Sequence, residues 1–207
     1  MKLCSGLTAA AAIIAIAGAA SAAETGKFVQ QGDAAKALLE TNTINIATAE
    51  AIGKACIDEA TKEGVKVSVV ITDQFGEPVW FYRMDGQGKV NVDTAFMKAK
   101  TALNMRAPSK TIMNQVLQGR SSELRQYSFG NFANSGALPI VINGNQLIGV
   151  IGVGGSAPRV PIWSDEICAW RALTKVIGPQ PPLLPDVQRN AEAGGGAGPR
   201  GNGAPNQ

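Results

Sequence analysis

Two pairs of β-branched runs, each split by a short turn, constrain this chain more than any other feature. Val65–Thr72 and Pro78–Met84 flank Asp73-Gln74-Phe75-Gly76, and Leu138–Ile142 and Gln146–Val153 flank Asn143-Gly144-Asn145. Short Val/Ile-rich runs bounded by Gly, Asn and Asp read as strands. A parallel pair needs a crossover of about a dozen residues, so connections this short join antiparallel neighbours. Asn-Gly suits a tight turn with two positive φ angles, and Gly76 supplies one in the first turn. The sequence therefore predicts two antiparallel hairpins.

Helical patterns lie around and between them. Asn45 is an N-cap for a helix over Ile46–Glu63, where Ile46, Ala49, Ile52, Cys56 and Ala60 form one apolar stripe and Gly64 follows the end. Asp85-Gly86-Gln87-Gly88 breaks the second strand. A second helix runs from a cap at Asn91 or Asp93 to about Met105, and Pro108 stops it. Ser109 caps a shorter helix through Gln118, and residues 119–136 read as a long polar loop. Ser164 caps a last helix over Asp165–Ile177, stopped by Gly178-Pro179. The order α-β-β-α-α-β-β-α predicts an α+β fold, an antiparallel β-sheet built from two hairpins with flanking helices, in one domain over residues 44–177.

The ends read differently. Lys2, the apolar stretch Leu7–Ala17 and Ala20-Ser21-Ala22 have the charge, length and exit residues of a signal peptide over residues 1–22. The expectation is a periplasmic or secreted protein with no membrane span after cleavage. Residues 23–43 form a polar N-terminal lead-in, with room for a short helix over Asp33–Glu40. From 178 to 207, 13 of 30 residues are Gly or Pro, which reads as a disordered tail. Cys4 leaves with the signal. Cys56 and Cys168 remain, each on a predicted helix, and both a disulfide and two buried free thiols are compatible with that placement.

The chain has no histidine, which removes the Ser-His-Asp triad, His-ligated zinc and His-ligated haem iron. A net charge of +3, without basic runs, and an aromatic fraction of 5% argue against a nucleic-acid partner. Three polar clusters remain near strand ends: Arg83-Met84-Asp85-Gly86, Lys98-Ala99-Lys100-Thr101, and Gly152-Val153-Gly154-Gly155 with Asp165. Guanidinium and ammonium groups beside glycine amides suit a carboxylate or propionate. Taken singly, each cluster reads sooner as a cross-turn pair, a solvated helix face or a turn than as a site. Asp165-Glu166 complements a helix dipole without further role. Without histidine, the soft or phenolic metal-ligand candidates are Met84 and Tyr82, with Met97, Met105 and Tyr127 beside them. Methionine at helical spacing also reads as core packing.

Taken in order, these segments resemble one family. Ser68–Asp73 with Gly76, Arg83–Gly86, Lys98–Ala102, Gly136–Ile140, Gly149–Gly155 and Asp165-Glu166 with Ala169 and Ala172 are similar to the GlcG/HbpS family, the haem-binding or haem-degrading domain related to the C-terminal domain of PduO. The resemblance covers residues 44–177 and implies a single α+β domain, usually in a homo-oligomer. Because the first and last helices of that fold lie close together, it also implies a Cys56–Cys168 disulfide. Ala137 stands where the family has a second glycine, and the stretch Ser156–Trp163 is longer than its pattern.

The function this implies is an exported binding protein for haem or a related anionic small molecule, without His ligation. Its ligand-binding residues would be Arg83, Met84, Asp85, Lys98, Lys100, Thr101, Gly154, Gly155 and Asp165. Alternatives are an enzyme of haem or small organic-acid breakdown, for which no complete acid–base set is evident, and an accessory subunit of an exported complex.

Overall fold

The computed structural model describes residues 32, 33, 42–120, 125, 127–155 and 163–187. The expected signal peptide, nearly all of the lead-in including the helix at 33–40, most of the Ser156–Trp163 stretch and the chain from 188 onward lie outside the described residues. From Thr43 the described chain folds as one unit. Its elements are α1 (Ile46–Lys62), β1 (Ser68–Asp73), β2 (Pro78–Arg83), α2 (Lys89–Met105), α3 (Lys110–Leu117), β3 (Ala137–Ile142), β4 (Gln146–Gly154) and α4 (Asp165–Val176).

Both hairpins form as the turn residues require. Asp73 Oδ1 accepts from the Phe75 and Glu77 amides, at 2.8 and 3.0 Å, and Gly76 takes φ +94°. Asn143 and Gly144 take φ +52° and +86°, the two positive values of a tight hairpin turn. The hairpins join through β1 and β4, so the antiparallel sheet runs β2-β1-β4-β3. Alternation then sorts the side chains onto two faces. Val69, Ile71, Leu138, Ile140, Ile151 and Val153 join the larger core with residues of α1 and α4, including Ile52, Ile167 and Leu173. Val70, Ala137 and Val150 face Ala95, Ala99 and Ala102 of α2.

Three element starts differ from expectation. Val65–Val67 are not ladder residues: Val65 N–H closes the end of α1 on the Ala60 carbonyl, and Val67 exchanges bonds with Met84 instead. α2 begins at Lys89 after Gly88, because Asn91 bonds Gln87 and Asp93 pairs with Lys89 within the first turn. Ser109 does not cap α3. Its Oγ donates to the Asn134 carbonyl at 2.6 Å and accepts from Ala137 N–H at 3.1 Å, tying the helix to the start of β3. Asn45 and Ser164 cap as expected, accepting from the Thr48 and Ile167 amides.

The chain expected to be disordered from 178 stays in the fold to 187. Leu183 and Val187 are buried in the larger core. The Gln180 side chain accepts from Val141 N–H and donates to its carbonyl, occupying the outer edge of β3 as a strand would. Gly and Pro content could not show this, since the segment is held by a few apolar anchors and one amide rather than by a periodic pattern.

A disulfide joins Cys56 on α1 to Cys168 on α4, with the Cα atoms 5.2 Å apart and 112 residues between them in sequence. A loop of about this length removes roughly 4–5 kcal/mol of unfolded-chain entropy in the chain-entropy description. The expected consequence of replacing both cysteines by alanine is a loss of several kcal/mol, read as an earlier urea midpoint. An unchanged midpoint would show that helix packing alone holds α1 on α4.

Candidate functional site

The second helix positions almost everything of interest. It lies directly on β4 because two strand residues lack side chains. A Cβ at Gly152 would collide with the Ala95 carbonyl, and one at Gly154 with the Asn91 carbonyl. At this spacing α2 presents two different stripes, each with i, i+3, i+7 periodicity: Asn91, Thr94 and Lys98 on one side, Met97, Lys100 and Asn104 on the other. The lysines of Lys98-Ala99-Lys100 therefore serve different places.

Lys98 is 4% exposed. Its ammonium pairs with Asp165 Oδ2 at 2.7 Å and donates to the Val153 carbonyl at 3.1 Å. Asp165, the first residue of α4, is equally hidden. Gly136 closes the arrangement from the β3 side at φ +132°, where a Cβ would stand 2.8 Å from Asp165 Cβ and 3.0 Å from Lys98 Nζ. Its neighbour Ala137 packs into the smaller core, so a methyl is accommodated at the second position and not at the first. Above the pair opens a polar pocket of about 370 Å³, with Asn91 and Thr94 of α2, Asn134 and Ser135, Gly155, and Ser164 around it.

Glu166 is also more than a dipole partner. It is fully buried, its Oε2 accepts from Ser135 Oγ at 2.7 Å, and Oε1 has no partner among the described residues. Burial raises its pKa above the ordinary 4.5, and the Ser135 hydrogen bond and the Lys110 charge offset only part of this.

Lys100 and Met97 border a second cavity, of about 420 Å³, between α2 and the β1–β2 turn. Its walls include Phe75, Phe96 and Leu103, and Phe96 meets Phe81 of β2 with ring centroids 5.4 Å apart. Thr101 is fully buried, donating to the Met97 carbonyl and accepting from Phe132 N–H, so it anchors the loop before β3 rather than lining either cavity.

The Arg83–Gly86 cluster lies elsewhere. Register sets Arg83 opposite Ser68, and Ser68 opposite Gly154, so Arg83 stands on the α2 face of the outer strand, level with Gly154. Arg83 and Asp85 are exposed. Met84 packs on the larger core, and its sulfur accepts from Val67 N–H at 3.3 Å. Tyr82 is exposed and stacks on Trp80, which in turn fills the space left by Gly53 of α1. The fold thus gathers Lys98, Gly155 and Asp165 around one pocket, buries Gly154 beneath the α2 backbone, gives Lys100 to another cavity, and leaves Tyr82, Arg83, Met84 and Asp85 on the edge strand and the turn after it. Sequence reasoning missed Thr94, Ser135, Ser164 and Glu166 at the first site, and Phe75 and Phe96 at the second. The i, i+3, i+7 spacing of Asn91, Thr94 and Lys98 is the one signal that points to the first of them.

A family model described as haem degrading protein HbpS-like matches residues 44–174. The chain belongs to the HbpS-like family. It is 30% identical over 138 residues to an uncharacterized 15.0 kDa protein of the dhaT-dhaS intergenic region of Citrobacter freundii, covering 63% of this chain and 90% of the relative. The crystal structure of Klebsiella pneumoniae ORFY is similar at a TM-score of 0.60 and 26% identity, covering 68% of this chain and 95% of that one. PduOC, solved as a haem complex, shares the fold at a TM-score of 0.57 and 22% identity, covering 64% of this chain and 94% of that one.

Two outcomes follow from this electrostatics. Lys98→Met removes the ammonium from the buried Asp165, a change expected to cost about 3–5 kcal/mol in chemical unfolding; a loss near zero would mean that the carboxylate is held without Lys98. Folded Glu166 keeps its proton to higher pH than the unfolded chain does. Its stabilising contribution is full below the ordinary 4.5 and falls as pH rises through the raised value. Glu166→Gln should remove that decline, seen as a flatter plot of urea midpoint against pH.

Proposed function

We propose that this chain is an exported haem-binding protein, and that haem lies in the groove between α2 and the β1–β2 turn. The single observation that carries the reading is the chemistry of that groove: aromatic and aliphatic walls from Phe75, Phe96 and Leu103, with one ammonium, Lys100, at the same place. A planar apolar macrocycle with carboxylate arms matches such a lining, and about 420 Å³ falls within the usual range for cofactor sites. The family description and the haem complex of PduOC support the ligand class. The Cys56–Cys168 disulfide and the signal-like residues 1–22 support export to a periplasmic or extracellular setting. The exposed Phe81 and Tyr82 of the edge strand β2 favour a homo-oligomer.

The residues fit haem without histidine. Phe75 and Phe96 would cover the ring and exclude water from it. Lys100 would hold a propionate, whereas Arg83 stands at the other end of the sheet, opposite Ser68, and is not part of this groove. Met97 is the thioether of the groove, 38% exposed, and would be the soft ligand. Haem, when bound, supplies the redox chemistry, and the chain supplies the pocket. A haem-breakdown activity is the second reading, favoured by the family description alone.

Haemin titration of residues 23–207, followed in the Soret region, tests this. The expected result is a saturable shift at about one haem per chain. Lys100→Ala should weaken it by about 1–3 kcal/mol, the range for a charge-assisted hydrogen bond, and Met97→Leu should move the band while binding persists. Non-saturating adsorption, or affinity indifferent to both substitutions, would overturn the site. Bleaching of the band on adding ascorbate would move the assignment to the degrading reading.

A further inference from the structure

We infer that the polar pocket above the Lys98–Asp165 pair is a second binding site, for a small uncharged polyhydroxylated molecule. It lies on a different side of α2 from the groove, nearer the start of the helix. The pocket takes Asn91, Thr94 and Lys98, while the groove takes Met97, Lys100 and Leu103. Along β1 the groove sits at Thr72, and the pocket lies at the end where Ser68 pairs with Gly154. The inference therefore stands apart from the haem reading.

The hydrogen bonds already made inside the fold decide the ligand class. The Lys98 ammonium has three protons. Asp165 and the Val153 carbonyl take two, which leaves one N–H to donate among the described residues. Ser164 Oγ accepts from Ile167 N–H, so its own proton is left to donate. Thr94 Oγ1 donates to the Asn91 carbonyl and Ser135 Oγ donates to Glu166, so both are left to accept. The pocket thus offers donors and acceptors side by side. A hydroxyl group satisfies both kinds, and a molecule carrying several meets the set without leaving a polar group unpaired.

A charged ligand fits worse. Lys98 is neutralised within the pocket by Asp165 at 2.7 Å, and both are buried. An ionised carboxylate group only accepts. It would turn its oxygens toward two hydroxyls whose protons are already donated elsewhere, and would face the Asp165 carboxylate. A haem fits worse still, since every lining side chain is polar and no aromatic face is present for the ring. The volume of about 370 Å³ holds roughly a dozen waters at about 30 Å³ each, enough for a polyol or a single sugar ring.

The test is titration of the isotope-labelled chain, residues 23–207, with glycerol, sorbitol and glucose, and with lactate and inorganic phosphate as charged probes, followed by amide chemical shifts. The expected result is saturable binding of a polyol or glucose in the millimolar range or tighter, with the shifts confined to Thr94, Ser135, Gly155 and Ser164. Thr94→Val removes one acceptor without touching the ion pair and should weaken that binding about five- to tenfold. Asn134→Ala, at an exposed position, gives a second reading should the first variant melt early. Binding should persist in Lys100→Ala and in the haemin-loaded protein, so loss of the haem reading leaves this one intact. Preference for lactate or phosphate would overturn the neutral ligand. No saturable shift with any probe, or shifts unaffected by either variant, would overturn the site.

Discussion

The close approach of α2 to β4 is the constraint from which the rest of the structure follows. Gly152 and Gly154 carry no side chain, and the helix backbone occupies the space that side chains would take. Small residues on the helix, Ala95, Ala99 and Ala102, complete the fit. The helix is thereby low enough on the sheet for Lys98 to reach the end of β4 and the start of α4 at once. A bulkier strand would lift α2, separate Lys98 from Asp165 and leave two charges buried apart, which the interior does not tolerate. Close packing and buried charge are here one constraint seen from two sides.

The opposite face of the sheet is held by different means. There α1 and α4 pack through larger aliphatic residues and are joined by the disulfide between Cys56 and Cys168. The segment 178–187 adds Leu183 and Val187 to this core and covers the β3 edge with Gln180. The division fits a protein in which one layer supplies rigidity and the other presents chemistry, with Glu166 at the seam, buried and bonded to Ser135 of the loop that rims the pocket.

Much of the fold was legible because its signals are local. Asp73 with Gly76, and Asn143 with Gly144, required two hairpins, and Asn45 and Ser164 marked helix starts. Ser109 misled because its hydroxyl found a tertiary partner in the Asn134 carbonyl that outbids a cap. Asn91 and Asp93 misled for a related reason, since Asn91 is spent on Gln87 just before α2 and Asp93 on Lys89 at its start. The site was legible in part. Lys98, Gly155 and Asp165 were chosen for their chemistry and line one pocket, whereas Gly154 is packed under the α2 backbone and Lys100, two positions from Lys98, turns to another face because a helix rotates by about 200° over two residues. Met84 had the right chemistry for a metal and is engaged with Val67 N–H.

By itself the sequence determined the strands, the turns, the helix stripes, the family resemblance and the absence of histidine, because each depends on residues close in the chain or on their kind. Tertiary structure alone decided that the two hairpins meet through β1 and β4, that residues 178–187 belong to the core, and that Asp165 and Glu166 are buried. It also decided which lysine is neutralised and which stands beside aromatic walls. These depend on contacts between residues far apart in sequence. A carboxylate at a helix start reads the same whether it faces water or an ammonium, and only the packing of α2 on β4 brings that ammonium within 2.7 Å.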